Sequence, residues 1–393
     1  MRILVINYEY PPLGGGGGLV TRDILEQMAG LGHKPTVITS GFKGLKSHEN
    51  VNGVNIIRVP VLFRRKMEVA SIPSMLSYFP SSVLHAVRSL NGRMYDIINT
   101  HFAIPSGPTG YVLSKIFHLP NILSIHGGDI FDPSKAFSPH KSLLFSTMVK
   151  AMLKTADRVV AQSEDTRQNA YKYYRVNRPI EIIPLGIKKS VFCKKTRRDF
   201  GLDPDEIVFC TIGRLIKRKN IDDALVILSI LQNNHHFKFL IIGEGPEKNH
   251  LAKLVQKYGL AGTVRFIGNV SDEEKFQLLA ISDIYISTAL HEGFGLVFLE
   301  AMECGLSIVC YNRGGQNDFL KDGKTGFLIK VGDTNTFSRR IAQLVNSREL
   351  RKTVSVFNKQ SVKKYYINHC AQKYVSLFQD VIYMNRMTGE KAN

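Results

Sequence analysis

The sequence predicts an α/β protein with two consecutive domains, each built on a doubly wound parallel sheet. Its 393 residues exceed what one hydrophobic core usually spans. Short runs of β-branched and other apolar residues alternate with amphipathic helical segments, and this rhythm restarts at Ile207. Because the runs are nearly continuously apolar, they are typical of parallel strands covered on both faces. Each half is therefore expected to be a Rossmann-like domain.

The apolar runs are predicted strands, and the segments between most of them are predicted helices. The strands of the first half are Ile3–Asn7, Thr36–Thr39, Asn55–Val59, Asp96–Thr100, Asn121–Ile125, Arg158–Gln162 and Glu181–Pro184. Those of the second half are Ile207–Ile212, Lys238–Ile242, Val264–Phe266, Asp283–Ser287, Ser307–Cys310 and Gly326–Ile329. After about residue 333 the chain is predicted to continue as successive helices.

This pattern also predicts the domain boundaries. Residues 1–185 are expected to form the first domain, 206–365 the second, and 366–393 a C-terminal helix. Residues 186–205 are predicted to be the linker, since this segment is rich in lysine and arginine and has no regular apolar period. A solvated charged loop is the alternative for this segment.

Composition narrows the class of protein. Hydrophobic residues make up 44% and charged residues 22%, which is typical of a soluble globular protein and excludes extensive disorder. The five cysteines form no C-x-x-C pair, which argues against a disulfide framework and a zinc site. The apolar run at the N-terminus is too short for a signal peptide, and no run is long enough for a transmembrane helix. A cytoplasmic location is expected.

Positive charge is concentrated at the two ends of the chain. The net charge of +19 divides into +14 over residues 1–200, −1 over residues 201–350 and +6 over residues 351–393. This distribution suggests that the first domain and the tail meet an anionic partner, although a general role in solubility is the alternative. Nucleic acid is disfavoured, because no helix-turn-helix, RRM or zinc-finger signature is present and aromatic residues are not interleaved with the basic ones.

A glycine run lies between the first strand and the first helix. In Gly14–Gly18, backbone N–H groups near the positive end of a helix can bind phosphate oxygens. A plain strand-to-helix turn is the alternative. The dinucleotide fingerprint G-x-G-x-x-G does not fit, since Leu19, Val20 and Thr21 occupy the position of the third glycine in the three possible frames.

Two further polar segments follow predicted strands at the sheet edge where α/β proteins bind ligands. In His126-Gly-Gly-Asp129, the histidine can hydrogen-bond a sugar hydroxyl or carry a proton, with a plain loop histidine as the alternative. In Gly213–Lys219, Arg214 and Lys219 lie five residues apart across a turn and can bind both phosphates of a diphosphate. Lys217 and Arg218 are expected to be solvated.

The segment from His291 to Glu300 is the richest in candidate site residues. Glu292 lies in a loop after a strand, and Glu300 lies about one turn into the following helix. The backbone of Gly293, Phe294 and Gly295 can offer N–H groups to phosphate at the helix start, and Glu300 can bind a ribose diol. Each carboxylate taken singly could equally be a surface acid.

Taken together, these residues resemble the retaining nucleotide-sugar transferases of glycosyltransferase family 4. The resemblance is strongest at Glu292-Gly-Phe-Gly-Leu296, which with Glu300 has the E-x7-E spacing of that family. It covers nearly the whole chain, through Ile183–Gly186, Ile242–Pro246, Phe266–Val270, Ala301–Gly305, Gly314-Gly315 and Asp322–Phe327 as well. The resemblance implies the GT-B architecture, with two Rossmann-like domains facing across a cleft and the last helix packing back on the first domain.

The resemblance also implies roles for individual residues. In the nucleotide-sugar-binding second domain, Arg214 and Lys219 would bind the diphosphate, Glu300 the ribose and the region of Val270 the base. Glu292 and the backbone of Gly293, Phe294, Gly295 and Leu296 would hold the donor sugar. In the acceptor-binding first domain, Gly15 and Gly16 would close on the diphosphate, His126 would approach the sugar, and Asp129 would lie on the acceptor side.

The implied reaction is transfer of a hexose-type sugar from a UDP- or GDP-sugar to a hydroxyl of a glycan or lipid-linked acceptor, with retention, in polysaccharide or glycolipid synthesis. Cationic side chains would stabilise the leaving diphosphate, so no metal or other cofactor is expected. His291 departs from the family pattern, as does Gly314-Gly315-Gln-Asn317-Asp318, which stands where G-G-x-P-E is usual, and these differences leave the donor sugar open. The alternative is another enzyme of GT-B-like fold, an epimerase or a phosphorylase.

The basic first half fits a lipid-linked acceptor. The segment Val61–Met67 mixes apolar residues with Arg64, Arg65 and Lys66, as expected of an element that lies at a membrane surface. The sequence therefore predicts peripheral docking of the first domain on anionic membrane, at the inner face of the cell membrane.

Overall fold

The chain forms two compact units in a computed structural model that describes residues 1–67, 70–133, 138–191 and 195–390. The first unit contains Met1–Lys188 and the helix that begins at Ile367, and the second contains Lys189–Tyr366. The chain passes from one unit to the other at Lys188 and returns at Tyr366. Cys193, in the predicted linker, lies outside the described residues.

Most of the predicted linker segment belongs with the second unit. Arg197 donates hydrogen bonds to the carbonyl of Ile281 at 2.9 Å and forms an ion pair with Asp283 at 2.6 Å. Because Asp283 precedes a strand of the second sheet, this contact fixes the segment to that sheet.

The first unit has an eight-stranded sheet in the order β3-β4-β2-β1-β5-β6-β7-β8. The strands are β1 (Arg2–Asn7), β2 (Lys34–Ser40), β3 (His48–Val51), β4 (Val54–Val59), β5 (Ile97–His101), β6 (Asn121–Ile125), β7 (Arg158–Ala161) and β8 (Glu181–Ile182). All pairs are parallel except β3 with β4. The seven strands predicted from apolar runs are confirmed, and β3, which is largely exposed, was not predicted.

Helices cover both faces of this sheet. They are α1 (Gly16–Gly30), α2 (Ile72–Ser89), α3 (Gly107–Phe117), α4 (Leu143–Thr155) and α5 (Glu164–Tyr174). Buried residues such as Leu4, Ile38 and Leu113 form one core cluster, and Leu123 and Val159 belong to another. These contiguous apolar clusters account for the sheet being buried on both faces.

The second unit has a six-stranded parallel sheet in the order β11-β10-β9-β12-β13-β14. The strands are β9 (Ile207–Ile212), β10 (Phe237–Ile242), β11 (Val264–Gly268), β12 (Ile284–Ser287), β13 (Ser307–Tyr311) and β14 (Gly326–Ile329). The helices are α6 (Ile221–Leu231), α7 (Lys248–Lys257), α8 (Asp272–Ala280), α9 (Leu296–Cys304), α10 (Thr334–Asn346) and α11 (Arg348–Ser361). The six strands predicted here are confirmed, and the protein has the expected α/β class.

The last helix, α12 (Ile367–Glu390), belongs to the first unit and packs against α1. Tyr374 on α12 is 2% exposed, and its hydroxyl lies 3.1 Å from that of Ser124 on β6. The N–H of Ile367 donates to the carbonyl of Ile187 at 2.8 Å. Among the described residues no helix combines the length and apolarity needed to cross a bilayer.

Strand order determines where each sheet offers a binding crevice. In the first sheet β1 and β5 are neighbours, and in the second sheet β9 and β12 are neighbours. The connections that follow the two strands of each pair lead towards opposite edges of the sheet. Loops after such strands diverge and leave room for a ligand at the carboxyl edge of the sheet. The predicted site residues lie in loops of this kind, or in the helices that follow them.

Candidate active site

A cluster of two cations and one carboxylate lies at the carboxyl edge of the second sheet. The loop after β9 forms a short 3-10 turn over Lys217–Lys219, and α6 follows it. The ammonium group of Lys219 forms an ion pair with the carboxylate of Glu292, whose side chain is only 9% exposed. Lys219 lies close over Gly213, where an added Cβ would be 2.8 Å from Cε of the lysine. A glycine is therefore needed at position 213 for this lysine conformation.

Arg218 is the second cation of the cluster. Its guanidinium lies 3.2 Å from the Glu292 carboxylate and donates to the carbonyl of His291. The prediction that Arg218 is solvated was wrong, because the turn directs this side chain towards Glu292. Burial by itself would raise the pKa of Glu292, but the charges of Lys219 and Arg218 outweigh this effect and lower it to about 2. Glu292 is therefore ionised at neutral pH.

The loop that carries Glu292 is held by the glycine pair after β13. The N–H of Gly315 donates to the carbonyl of Glu292 at 2.8 Å. Gly314 has φ of 121°, and a Cβ there would lie 2.3 Å from the same carbonyl oxygen. Only glycine allows this approach without strain, so the pair supports the backbone at the predicted site.

Arg214 differs from Lys219 in its surroundings. It is exposed, and among the described residues its guanidinium makes no hydrogen bond or ion pair. Leu215, the next residue, is fully buried and fixes the backbone of the loop. The two cations of the predicted diphosphate site therefore differ, since one is already paired with a carboxylate and the other is open to solvent.

Helix α9 begins where the sequence predicts, immediately after Gly295. Gly295 adopts φ of 87°, the left-handed conformation favoured by glycine, and is the N-cap of the helix. The ring of Phe294 is buried against Phe319, with ring centroids 5.2 Å apart. Gly293 and Leu296, on either side, are partly buried. The first N–H groups of a helix have no partners within it, so this end of α9 can bind an anion.

Glu300 lies in the second turn of α9 and is paired with a lysine. Its carboxylate accepts from the ammonium group of Lys275 on α8 at 2.7 Å and is 13% exposed. Lys275 also contacts Asp272 at 3.0 Å. Val270, the predicted neighbour of the base, lies in the loop just before α8 and is partly buried. Sequence patterns gave no sign of Lys275, because it comes from a different helix.

In the first unit, the carboxylate of Glu9 contacts the glycine turn, and this contact was not predicted from the sequence. Gly15 is the N-cap of α1, and its N–H donates to the side chain of Glu9 at 3.3 Å. A Cβ on Gly15 or Gly16 would meet nothing within 4 Å, so both positions face open space. A Cβ on Gly17 would lie 2.6 Å from the ring of Phe102. Glu9 therefore already accepts a hydrogen bond from one of the amides that were predicted to bind phosphate.

His126, at the end of β6, is 9% exposed and lies against a second histidine. Its Nε2 is 2.9 Å from Nδ1 of His101, the last residue of β5. The Asp129 carboxylate accepts from the N–H groups of His126 at 2.9 Å and of Ala103 at 2.7 Å. Asp129, predicted on the acceptor side, is 6% exposed and ties together the loops after β5 and β6.

The basic residues after β4 have different roles. Arg64 donates to the Ser40 hydroxyl and the Met67 carbonyl, both at 2.8 Å, and lies over the ring of Tyr8 at 5.2 Å. Arg65 and Lys66 are exposed. The interpretation of Arg64 as a membrane-facing residue needs correction, because its guanidinium points into the fold.

Metal binding was not expected from the sequence. Within the described ranges, the structure brings together no group of three or more His, Cys, Asp or Glu side chains that would hold a metal ion. The predicted site is instead rich in cations.

Comparison with known families decides the class of protein. Residues 14–190 match the model of Glycosyltransferase Family 4, and residues 193–360 match that of Glycosyl transferases group 1. The chain belongs to glycosyltransferase family 4. The resemblance predicted from Glu292, Glu300 and the other motifs is thereby confirmed at the level of the family.

Known relatives match this family 4 glycosyltransferase over nearly its whole length. It is 25% identical to N-acetyl-alpha-D-glucosaminyl L-malate synthase from Bacillus anthracis, over 95% of each chain. Its fold is similar to that of sucrose-phosphate synthase from Thermosynechococcus elongatus, with TM-score 0.84, 20% identity and coverage of 98% and 99%. HepE from Anabaena, solved with UDP-glucose, gives TM-score 0.77, 18% identity and coverage of 97% and 100%. The fold is GT-B, as predicted.

Proposed function

We propose that this glycosyltransferase moves a hexose-type sugar from a UDP- or GDP-sugar to a hydroxyl of a glycan or lipid-linked acceptor, with retention and without a metal ion. The observation that carries the proposal is the buried Glu292 held by Lys219 and Arg218, in the same domain as the exposed Arg214 and the amide-rich start of α9. Such a site combines fixed positive charge for a diphosphate with one carboxylate for sugar hydroxyls. The bound UDP-glucose of HepE supports a nucleotide-sugar donor.

In this proposal the second domain binds the donor. Arg214 and Lys219 bind the diphosphate together with the first amides of α9, and Glu300 accepts hydrogen bonds from the ribose. The base lies near Val270. Glu292 and the backbone from Gly293 to Leu296 hold the sugar. The acceptor binds to the first domain.

The chemical step breaks the bond between the anomeric carbon and the diphosphate oxygen. Negative charge grows on the leaving diphosphate as the sugar becomes oxocarbenium-like, and the fixed cations stabilise that charge. The acceptor hydroxyl attacks from the leaving-group side, and its proton passes to a diphosphate oxygen. The products are the glycosylated acceptor and the nucleoside diphosphate, so no protein nucleophile is needed.

A screen of thermal stability against UDP- and GDP-sugars tests the proposal. We expect one donor class to raise the unfolding temperature increasingly with concentration, because a ligand that binds only the folded protein stabilises it. Turnover of that donor on lipid extracts, followed by NMR of the product anomer, then tests acceptor class and retention. Absence of a shift with every donor would contradict the proposal, and donor conversion without acceptor would indicate an epimerase.

The membrane proposal gains support from α2, which has an unusual distribution of side chains. Its buried face carries small or polar residues, namely Ser74, Tyr78, Ser82 and Ala86. Its exposed face carries Ile72, Leu76, Phe79, Leu84 and Val87. The loop before the helix adds Leu62 and Phe63, which are 61% and 69% exposed. An apolar face turned outwards is a signal of an interaction surface.

The charges around α2 favour an anionic lipid surface as the occupant of this face. Residues 69–95 contain no aspartate or glutamate. The cations Arg65, Lys66 and Arg88 are exposed beside the apolar side chains. Apolar insertion combined with nearby positive charge is the pattern of an interfacial helix. We therefore propose that α2 docks on anionic membrane where a lipid-linked acceptor would be presented.

Binding to vesicles measures this contact directly. The double variant Leu76→Glu, Leu84→Glu is expected to bind vesicles of phosphatidylcholine and phosphatidylglycerol at least about tenfold more weakly, since each buried leucine contributes about 1.5–3 kcal/mol. Val356→Glu is the matched control, because Val356 is 53% exposed on α11 of the other domain. Cosedimentation that is equal for the two variants would exclude α2 as the docking element.

A further inference from the structure

Lys275 on α8 and Glu300 on α9 form an ion pair inside the second unit. Nζ of the lysine lies 2.7 Å from Oε1 of the glutamate, and the two side chains are only 17% and 13% exposed. The two helices pack against each other, and both belong to the unit Lys189–Tyr366. The contact therefore joins two neighbouring helices of one domain through residues that lie 25 positions apart in the chain.

The sequence around Lys275 makes this pairing selective. Residues 266–312 contain seven aspartate or glutamate residues, no arginine and no lysine other than Lys275. Glu273 and Glu274 precede the lysine in the first turn of α8. The lysine nevertheless reaches across to the neighbouring helix, where its ammonium group is largely buried. The single cation of an acidic stretch is thus placed on the carboxylate of the proposed ribose site.

Three neighbours hold the ammonium group of Lys275 in place. Besides Glu300, it contacts Asp272 at 3.0 Å and lies 5.1 Å from the centroid of the Phe276 ring. Burial by itself would lower the pKa of Lys275, but the charges of Glu300 and Asp272 outweigh this effect and raise it. The lysine is therefore charged at neutral pH. Because a buried ammonium group without its carboxylate is costly, conformations that separate the pair are disfavoured.

A carboxylate held in this way is suited to a pair of hydroxyl groups. An ionised carboxylate donates no hydrogen bond and has about four acceptor positions on its two oxygens. The contact with Lys275 through Oε1 therefore leaves capacity for the two donors of a diol. Hydrogen bonds to a charged acceptor are stronger than those between neutral groups. A carboxylate that is already held in position also needs less ordering when the ligand binds.

We propose that Lys275 is a positioning residue that holds Glu300 for the two hydroxyl groups of the donor ribose, and that this pair makes the second domain select ribonucleotides. The inference rests on the proposed function, which places the ribose at Glu300, and it adds the lysine and the selectivity. A nucleotide without the two hydroxyl groups would leave the carboxylate buried with fewer hydrogen bonds. A site of this kind therefore rejects such a ligand.

Calorimetric titration with UDP or GDP and with the 2′,3′-dideoxy form of the same nucleotide tests this role. We expect the wild type to bind the ribose form about 10-fold to 100-fold more tightly, as for hydrogen bonds to a charged group. Lys275→Met keeps the apolar stem but removes the charge, so this ratio should fall to within about threefold through weaker binding of the ribose form alone. Lys275→Arg should restore most of the ratio. Lys275→Gln should also lower it, and covers the case in which the methionine variant fails to fold.

Lys257→Met is the matched control for these titrations. Lys257 is exposed on α7 and lies 5.5 Å from the centroid of the Tyr258 ring, so it has a similar ring contact without the burial. Its removal should leave the ratio within about twofold of the wild type.

Each departure from the expected titrations has a distinct meaning. Equal weakening of both nucleotide forms by Lys275→Met would show a merely structural role and overturn the inference. Tighter binding of the ribose form by this variant would show that the lysine competes with the diol, and would overturn it too. A wild type that binds both forms equally overturns the inference but leaves the nucleotide-sugar donor in place. A wild type that binds neither UDP nor GDP contradicts the proposed function itself, and the inference with it.

Discussion

Lys219→Ala is expected to lower kcat/KM about 10³-fold, because the substitution removes a fixed cation from the proposed diphosphate site. Removal of one group that stabilises developing charge in an active site costs about 10²–10³ in rate. Lys219 also contacts Glu292, whose carboxylate is buried and would be left with Arg218 alone. Misplacement of Glu292 therefore adds to the loss. Steady-state kinetics with the donor identified by the stability screen measure the effect.

Lys217→Ala is the matched control for this experiment. Lys217 lies two residues earlier in the same 3-10 turn and is exposed. Removal of a solvated charge usually changes stability by less than about 0.5 kcal/mol, so kcat/KM should stay within about twofold of the wild type. If the two variants were equally active, the diphosphate would have to bind elsewhere. Titration with UDP or GDP would then show equal affinity for both.

The backbone architecture could be predicted because it depends on a strong local signal. A strand buried on both faces must be apolar at nearly every position, so runs such as Ile207–Ile212 stand out from the helices around them. Strand β3 gives no such signal, because His48, Glu49 and Asn50 lie on an exposed edge and are polar. The antiparallel pairing of β3 with β4 depends on the short turn between them and not on burial.

Side-chain partners could be predicted only where backbone position alone decides the contact. Gly295 and the start of α9 follow from sequence, since the end of a strand and the start of a helix lie close together along the chain. The side chain of Arg218 was wrongly predicted to be solvated. The 3-10 turn directs it towards Glu292, which lies 74 residues further along the chain. His101 was missed because it follows a predicted apolar run, and its contact is with His126, which lies just after the next strand. Contacts of this kind depend on register between distant segments.

Glu292→Gln is expected to separate binding from catalysis. The substitution keeps the shape of the side chain but releases Lys219 and Arg218 from their ion pairs. Both cations remain available to a diphosphate, so the affinity for UDP or GDP should be unchanged or higher. The carboxylate proposed to hold the sugar is lost, so kcat should fall about 10²-fold. Calorimetric titration measures the affinity for UDP or GDP, and steady-state kinetics measure kcat. Weakened nucleotide binding with normal kcat would contradict the proposed role of Glu292.

The dependence of the free energy of unfolding on pH gives an independent test of Glu292. The pKa of Glu292 is lowered from 4.5 to about 2 in the folded protein, so its ionised form stabilises the fold at every pH above about 4.5. That contribution, about 3 kcal/mol for a buried group, is lost as the pH falls from 4.5 towards 2. The wild type should therefore be more stable than Glu292→Gln at pH 7, and the difference should shrink below pH 4.5 and vanish as the pH approaches 2. Glu349→Gln, at an exposed acid on α11, should follow the wild type throughout. Since the ion pairs that lower the pKa of Glu292 also hold Lys219 at the proposed diphosphate site, a variant that loses this pH dependence should lose turnover as well.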